Sequence, residues 1–198
     1  MKKYVAALVY VLMMAFAAVC LAADSYQMTY EAKNFTEEMK DNQALTEIFT
    51  TPYGALKFQM RKLWNSGNDK NLHLIVWLND KRIDDEHFPK VNYGYTFRVI
   101  KNTANSEQFY VLQSIERAVL FGYSPNAQKL VVYIDSQNYA HEAGAYPYIV
   151  ALQDGDLVLA FEKNKNRRRY QFDWDAEANW FGYSDLGTGW PSVISDKQ

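Results

Sequence analysis

From Ala55 onward, apolar and polar residues alternate with a period of two. Leu56, Phe58 and Met60 alternate with Lys57, Gln59 and Arg61, and Tyr93, Tyr95, Phe97 and Val99 alternate with Gly94, Thr96, Arg98 and Ile100. Neighbouring side chains of a strand leave it on opposite faces, so this pattern predicts sheets with one buried face. Leu72 to Leu78 and Leu130 to Ile134 are apolar on both faces and read as central strands. Across residues 107 to 122, Phe109, Leu112, Ile115 and Val119 also suit a helix, but Tyr110, Val111, Val119 and Phe121 favour a long or bent strand. Asn65-Ser66-Gly67-Asn68, Ser124-Pro125-Asn126 and Asp154-Gly155 supply the turns.

One segment departs from this period. Residues 35 to 49 are the best helix candidate, with Asn34 as cap, Glu37 three residues on and Glu38 in the first turn, where carboxylates suit the helix dipole. Phe35, Met39, Leu45, Ile48 and Phe49 approximate one face, though the spacing breaks at Asn42. Thr46, Ile48, Thr50 and Thr51 are β-branched, so the last third reads equally well as a strand.

The most specific register expectation lies near the C-terminus. Read as a two-residue hairpin loop, Asp154-Gly155 sets Leu152 opposite Leu157, Val150 opposite Leu159 and Tyr148 opposite Phe161. A turn centred on Lys165-Asn166 sets Phe161 opposite Tyr170, Leu159 opposite Phe172 and Leu157 opposite Trp174, with Glu162 facing Arg169 on the other side. Counted this way, the strands are 55–63, 71–79, 93–101, 107–121, 129–135, 147–153, 156–163 and 168–175. The expected fold is mainly β: an antiparallel meander of about eight strands with one N-terminal helix. It closes as a barrel, which is preferred, or folds as a two-sheet sandwich. An outer-membrane barrel does not fit, because the second face carries Lys57, Arg61, Arg98, Glu162, Arg169 and Asp173.

The N-terminus reads as an address. Lys2 and Lys3 precede an uncharged stretch from Tyr4 to Ala23, followed at once by Asp24, Ser25 and Gln27. This is the build of a secretory signal peptide over residues 1–23, cleaved after Ala22 or Ala23, leaving 24–198 as a single β-rich extracytoplasmic domain. An uncleaved anchor is the alternative, since the uncharged run is just long enough to span a bilayer, and it is the one expected route to a membrane. Lipoprotein processing at Cys20 is disfavoured by Val19, where a small residue is normal. Export places the chain in the periplasm or outside the cell. Cleavage would take Cys20, the one thiol, and would move the net charge from −2 to −4 by removing Lys2 and Lys3. One cysteine excludes a disulfide framework and a Cys-cluster zinc site, and 21 basic against 23 acidic residues excludes a strongly basic nucleic-acid binder.

Candidate chemistry is sparse. The three histidines, His73, His87 and His141, lack the spacing of a zinc hydrolase. His73 alternates with Ile75 and Trp77 and reads as a semi-buried strand residue. His87 ends the run Asp84-Asp85-Glu86, where a cation site is conceivable but a solvated loop is preferred. No GxSxG, phosphate loop or dinucleotide fingerprint occurs. His141-Glu142 is a conceivable acid–base pair, and Asp173, Asp175 and Glu177 a conceivable carboxylate set. The basic cluster Lys163, Lys165, Arg167, Arg168 and Arg169 sits on a predicted hairpin turn and reads as a solvated turn keeping a sheet edge soluble.

The unusual feature is aromatic density: Tyr170, Phe172, Trp174, Trp180, Phe181, Tyr183 and Trp190 fall within 21 residues. The last four are expected in a Gly-rich tail beyond the final strand, folding back to plug a barrel end or cover a sheet edge. Exposed aromatic planes stack on sugars or anchor partners. The sequence therefore predicts a non-enzymatic exported β-domain without cofactor or metal, binding a small apolar or glycan ligand, a peptide or a cell-envelope protein. Trp174, Trp180, Tyr183 and Trp190 would line the site. An envelope-polymer hydrolase using an Asp/Glu pair or His141-Glu142, and a structural or assembly subunit, are the alternatives.

Overall fold

The computed structural model describes residues 24–33, 43–64, 70–88, 94–164 and 166–190. Among the described residues, thirteen antiparallel strands form three open sheets. Sheet I holds β2 (Ala44–Thr51), β3 (Gly54–Trp64), β4 (Lys70–Leu78) and β5 (Lys81–Phe88) in that order. Sheet II runs from β1 (Tyr26–Ala32) through β6 (Thr96–Asn102), β7 (Gln108–Gln113) and β8 (Ala118–Ser124) to β9 (Lys129–Asp135). Sheet III holds β10 (Tyr146–Ala151), β11 (Leu157–Lys163), β12 (Asn166–Asp175) and β13 (Trp180–Thr188).

Strand alternation explains how the sheets stack. Phe97, Val99, Tyr110, Leu112, Val119 and Phe121 leave sheet II on one face and join Leu56, Phe58, Met60, Leu72, Leu74 and Val76 of sheet I in one core. Ile100, Phe109, Val111 and Leu120 leave on the other face and join Ile149, Leu157, Leu159, Phe161, Tyr170 and Phe172 of sheet III in a second core. Sheet II is therefore the middle layer, buried on both sides, and the architecture is a sandwich. A polar group within such a layer needs a partner. Arg98, buried on the side facing sheet III, donates to Glu31 Oε1 at 2.6 Å and to Gln113 Oε1 at 2.7 Å.

Several expectations change. Among the described residues no sheet closes on itself, so the preferred barrel is replaced by stacked open sheets. The expected helix over 35–49 is strand β2 from Ala44 onward, where β-branched Thr46, Ile48, Thr50 and Thr51 outweigh the helical spacing, and residues 35–42 lie outside the described set. The long strand 107–121 is two strands, β7 and β8, joined by a tight turn that the Ser114 N–H closes onto the Arg117 carbonyl at 2.7 Å. The expected tail residues Trp180, Phe181 and Tyr183 belong to edge strand β13, whereas Trp190 follows it.

The C-terminal registers also shift. β10 and β11 pair Ile149 with Leu159 and Ala151 with Leu157, one residue from the expected register. The loop holds three residues because Gly155, at φ +95°, takes the conformation a bulged hairpin needs, and its N–H bonds to the Leu152 carbonyl at 3.1 Å. A one-residue shift exchanges faces, so Tyr148, Val150 and Leu152 lie with Val158 and Ala160, away from the main core. β11 and β12 shift by two, pairing Leu157 with Phe172 and Leu159 with Tyr170. An even shift preserves faces, so Leu157, Leu159 and Phe161 share a side with Tyr170, Phe172 and Trp174, as expected. Glu162 faces Arg167 in place of Arg169.

Candidate functional site

The segment between β9 and β10 crosses the inner face of sheet III as a strap. Asp135 caps a short 3-10 turn over Ser136–Asn138 by accepting from the Gln137 N–H. Tyr139 then packs on Tyr170, Phe172 and Tyr183, with ring centroids 5.1, 5.5 and 5.2 Å away. Burial pushes its hydroxyl up to about 12, so it stays a neutral donor at any ordinary pH. Tyr170 Oη donates to the Ala140 carbonyl at 2.8 Å, tying the strap down. His141 lies flat on Phe161, centroids 4.3 Å apart and planes within 1°.

Between this strap and the open end of sheet III is a recess of about 360 Å³, lined by His141, Glu142, Phe161, Asn166, Arg167, Arg168 and Thr188 among others. Its charged groups are matched in pairs. Lys163 Nζ meets Glu142 Oε1 at 2.9 Å and also donates to the Ala143 carbonyl at 2.7 Å. Asn166 Nδ2 donates to the other Glu142 oxygen at 3.4 Å. These donors, Lys163 first, hold the Glu142 carboxyl below the usual carboxylate range. Arg168 grips Asp185 through both Nε and Nη2, and its guanidinium lies 5.4 Å from the Tyr170 ring centroid. That contact and the backbone N–H of Gly187 hold Asp185 below its ordinary range as well. Arg167 Nε is buried without a hydrogen-bond partner, and its ion-pair partner Glu162 is 3.9 Å away. His141 Nδ1 lies 2.7 Å from the Tyr139 carbonyl. That contact puts the ring proton on Nδ1 and leaves Nε2 as an acceptor when the imidazole is neutral.

The result is a polar recess floored by an aromatic ring, in which planar donors and acceptors alternate without net charge. It can hydrogen-bond a ligand that both donates and accepts, while His141, stacked on Phe161, offers ring surface.

The four aromatics expected to line a site are distributed along and around β13. Tyr183, 59% exposed, adjoins the recess through Tyr170, ring centroids 5.9 Å apart. Trp174 and Trp180 gather on Tyr133 farther along the same edge, with centroids 5.4 and 5.0 Å away, and Trp180 remains 45% exposed. Trp190 sits elsewhere. Arg169, which lies across from Ala160 on the outer side of sheet III, covers its ring at 5.4 Å, and its indole N–H bonds to the Leu186 carbonyl at 2.9 Å. Asp173 and Asp175 are exposed, and Asp175 Oδ1 accepts from the N–H groups of Glu177 and Ala178, the work of a turn cap. The basic cluster, read from sequence as a solvated turn, contributes Arg167 and Arg168 to the recess. No sequence motif marked this: Phe161, Arg168 and Thr188 stand on three different strands and meet only through pairing across sheet III.

Among the described residues, no helix is long and apolar enough to cross a membrane. Comparison with protein-family models, with curated proteins and with solved structures finds no match.

Proposed function

We propose that this chain is an exported, non-enzymatic β-domain, periplasmic or extracellular, that binds a hydroxyl-rich ligand of the glycan class. The ligand sits in the recess under the strap and continues along edge strand β13 past Tyr183 toward Trp174 and Trp180. The observation that carries the reading is the neutral, two-sided hydrogen-bonding set around an aromatic floor. A sugar hydroxyl donates and accepts at once, and Glu142 and His141 Nε2 can accept where Arg168 and Asn166 donate. The C–H faces of a sugar ring are apolar, and His141, backed by Phe161, and Tyr183 present matching ring surface.

The character of Glu142 supports binding over hydrolysis. Glycosidic cleavage needs a carboxylic acid that stays protonated, usually opposite a second carboxylate. Glu142 is the carboxylate lining the recess, and Lys163 and Asn166 keep it ionised.

Titration of the chain with neutral oligosaccharides, followed by tryptophan fluorescence and thermal shift, tests the proposal. A saturable response is expected, weakened at least about tenfold by Tyr183→Ala and by His141→Ala at unchanged melting temperature, as truncating a central contact does in other interfaces. Silence from every neutral oligosaccharide, or undiminished binding by both variants, overturns it.

A further inference from the structure

We propose that His73, Asp85 and His87 form a binding site for a borderline first-row transition-metal dication, with Zn²⁺ as the reference ion, on the outer face of sheet I. The site is remote from the recess and independent of the glycan reading.

The geometry comes from one irregularity in strand pairing. Asn79 and Asp80, at φ +48° and +64°, make the tight turn between β4 and β5. Beside that turn Leu78 pairs with Lys81 and Trp77 with Arg82, a register that continued would set His73 opposite Glu86 and send His87 to the inner face. A bulge between Val76 and Trp77 shifts the pairing by one residue. Beyond it His73 stands opposite His87 and Ile75 opposite Asp85, so both histidines and the aspartate leave the outer face together. The imidazoles stack with centroids 4.3 Å apart and planes within 8°. His73 Nε2 is in hydrogen-bond contact with Asp85 Oδ1, and His87 Nε2 lies 3.9 Å from the same oxygen.

One donor atom from each residue therefore falls within 4.8 Å of the other two. A four-coordinate ion with bonds of about 2.0–2.1 Å holds its donors about 3.3 Å apart, so small side-chain rotations would open the His73–Asp85 contact and draw His87 in. Two imidazoles and one carboxylate select zinc, copper or nickel over calcium and magnesium, which prefer all-oxygen shells. Arg82 pairs with Asp85 Oδ2, the oxygen the ion does not need, and so orients the carboxylate as an outer-shell partner does. Arg61, across the sheet from His73, and Arg82 add positive charge nearby, which moderates the affinity. The His73, Asp85 and His87 side chains are 17, 34 and 58% exposed, so the ion has an entry path and its fourth position opens to solvent.

The chain contains three histidines, which keeps the background low. Metal-stripped full-length chain is titrated with Zn²⁺ alone by isothermal calorimetry near neutral pH, with melting temperature and Co²⁺ visible absorption as further readouts. One equivalent should bind in the micromolar range or tighter and raise the melting temperature by mass action. His87→Ala, at the most exposed ligand, and Asp85→Asn should each weaken binding at least about tenfold and abolish the Co²⁺ band. His141→Ala should bind as the parent does. Lack of saturable binding below about 100 µM, or binding that survives His87→Ala or is lost in His141→Ala, overturns the assignment.

Discussion

Arg98 offers the most direct test of the layered architecture, because it is a buried charge on a face of the middle sheet. Its side chain is 8% exposed and that of its partner Glu31 is 14% exposed. Removing one member of a buried pair leaves the other without compensation and costs about 3–5 kcal/mol. Arg98→Met should fall at the low end, about 3 kcal/mol. Lys33 Nζ, 3.6 Å from Glu31 Oε2, leaves the stranded carboxylate a counter-charge, and Gln113 Oε1 keeps the Ile149 N–H at 3.4 Å. For a chain of this length that loss lowers the melting temperature by about 6–12 °C. The double replacement Glu31→Leu with Arg98→Met removes both charges together, and its cost should drop to about 1 kcal/mol or less. Urea unfolding followed by circular dichroism and by tryptophan fluorescence measures all of these variants on one scale. If Arg98→Met stays within about 0.5 kcal/mol of the parent, or the double variant loses the sum of the two single losses, the network is solvated and sheet II is not the middle layer.

Three further outcomes follow from the same structure. Gly155→Ala should destabilise by about 1–3 kcal/mol in urea melts, since φ +95° is strained for any L side chain and a Cβ would collide with Ser25. Phe58→Ala, emptying a fully buried position between sheets I and II, should cost about 3–5 kcal/mol, whereas Ile48→Ser, at a position 63% exposed, should change stability by under about 0.5 kcal/mol in the same melts. Glu107 carries a pH signature: burial, the main cause, and the nearby Asp24 charge raise its pKa in the folded chain. The folded state therefore binds that proton more tightly than the unfolded chain, and ionisation costs stability above the folded pKa but not below the ordinary value of 4.5. Glu107→Gln should melt higher than the parent near neutral pH, with the gap closing as the pH falls toward that ordinary value. A gap that persists or widens in acid contradicts the shift.

Where the sequence reading held, it held through local periodicity. Leu56, Phe58 and Met60 alternate because β3 buries one face, and that can be read without knowing what covers it. Where a strand's faces were exchanged, a single backbone residue was responsible. Gly155 in a three-residue loop moved β10 by one and exchanged its faces, while the two-residue shift between β11 and β12 left faces intact. Three strands went unnoticed, β1 (Tyr26–Ala32), β5 and β13, the last two for opposite reasons. β5, Lys81–Phe88, is mostly charged because much of it faces water, and β13 is interrupted by Gly182 and Gly187, which resemble turn residues. The aromatic excess was legible as composition, but its placement on edge strand β13 was not. The recess did not show, because Phe161, Arg168 and Thr188 lie on three separate strands and converge only through the register that pairs them.

By itself, then, the sequence determined that this chain is an antiparallel β protein and which side chains share a face along most strands, since alternation is a property of neighbours two residues apart. Tertiary structure alone decided that three open sheets stack where a barrel was expected. It also decided that sheet II is buried twice over, and that His73 meets His87. Those outcomes depend on loop lengths and bulges, where one added residue of nearly unchanged composition turns an entire strand over and changes which distant groups come into contact.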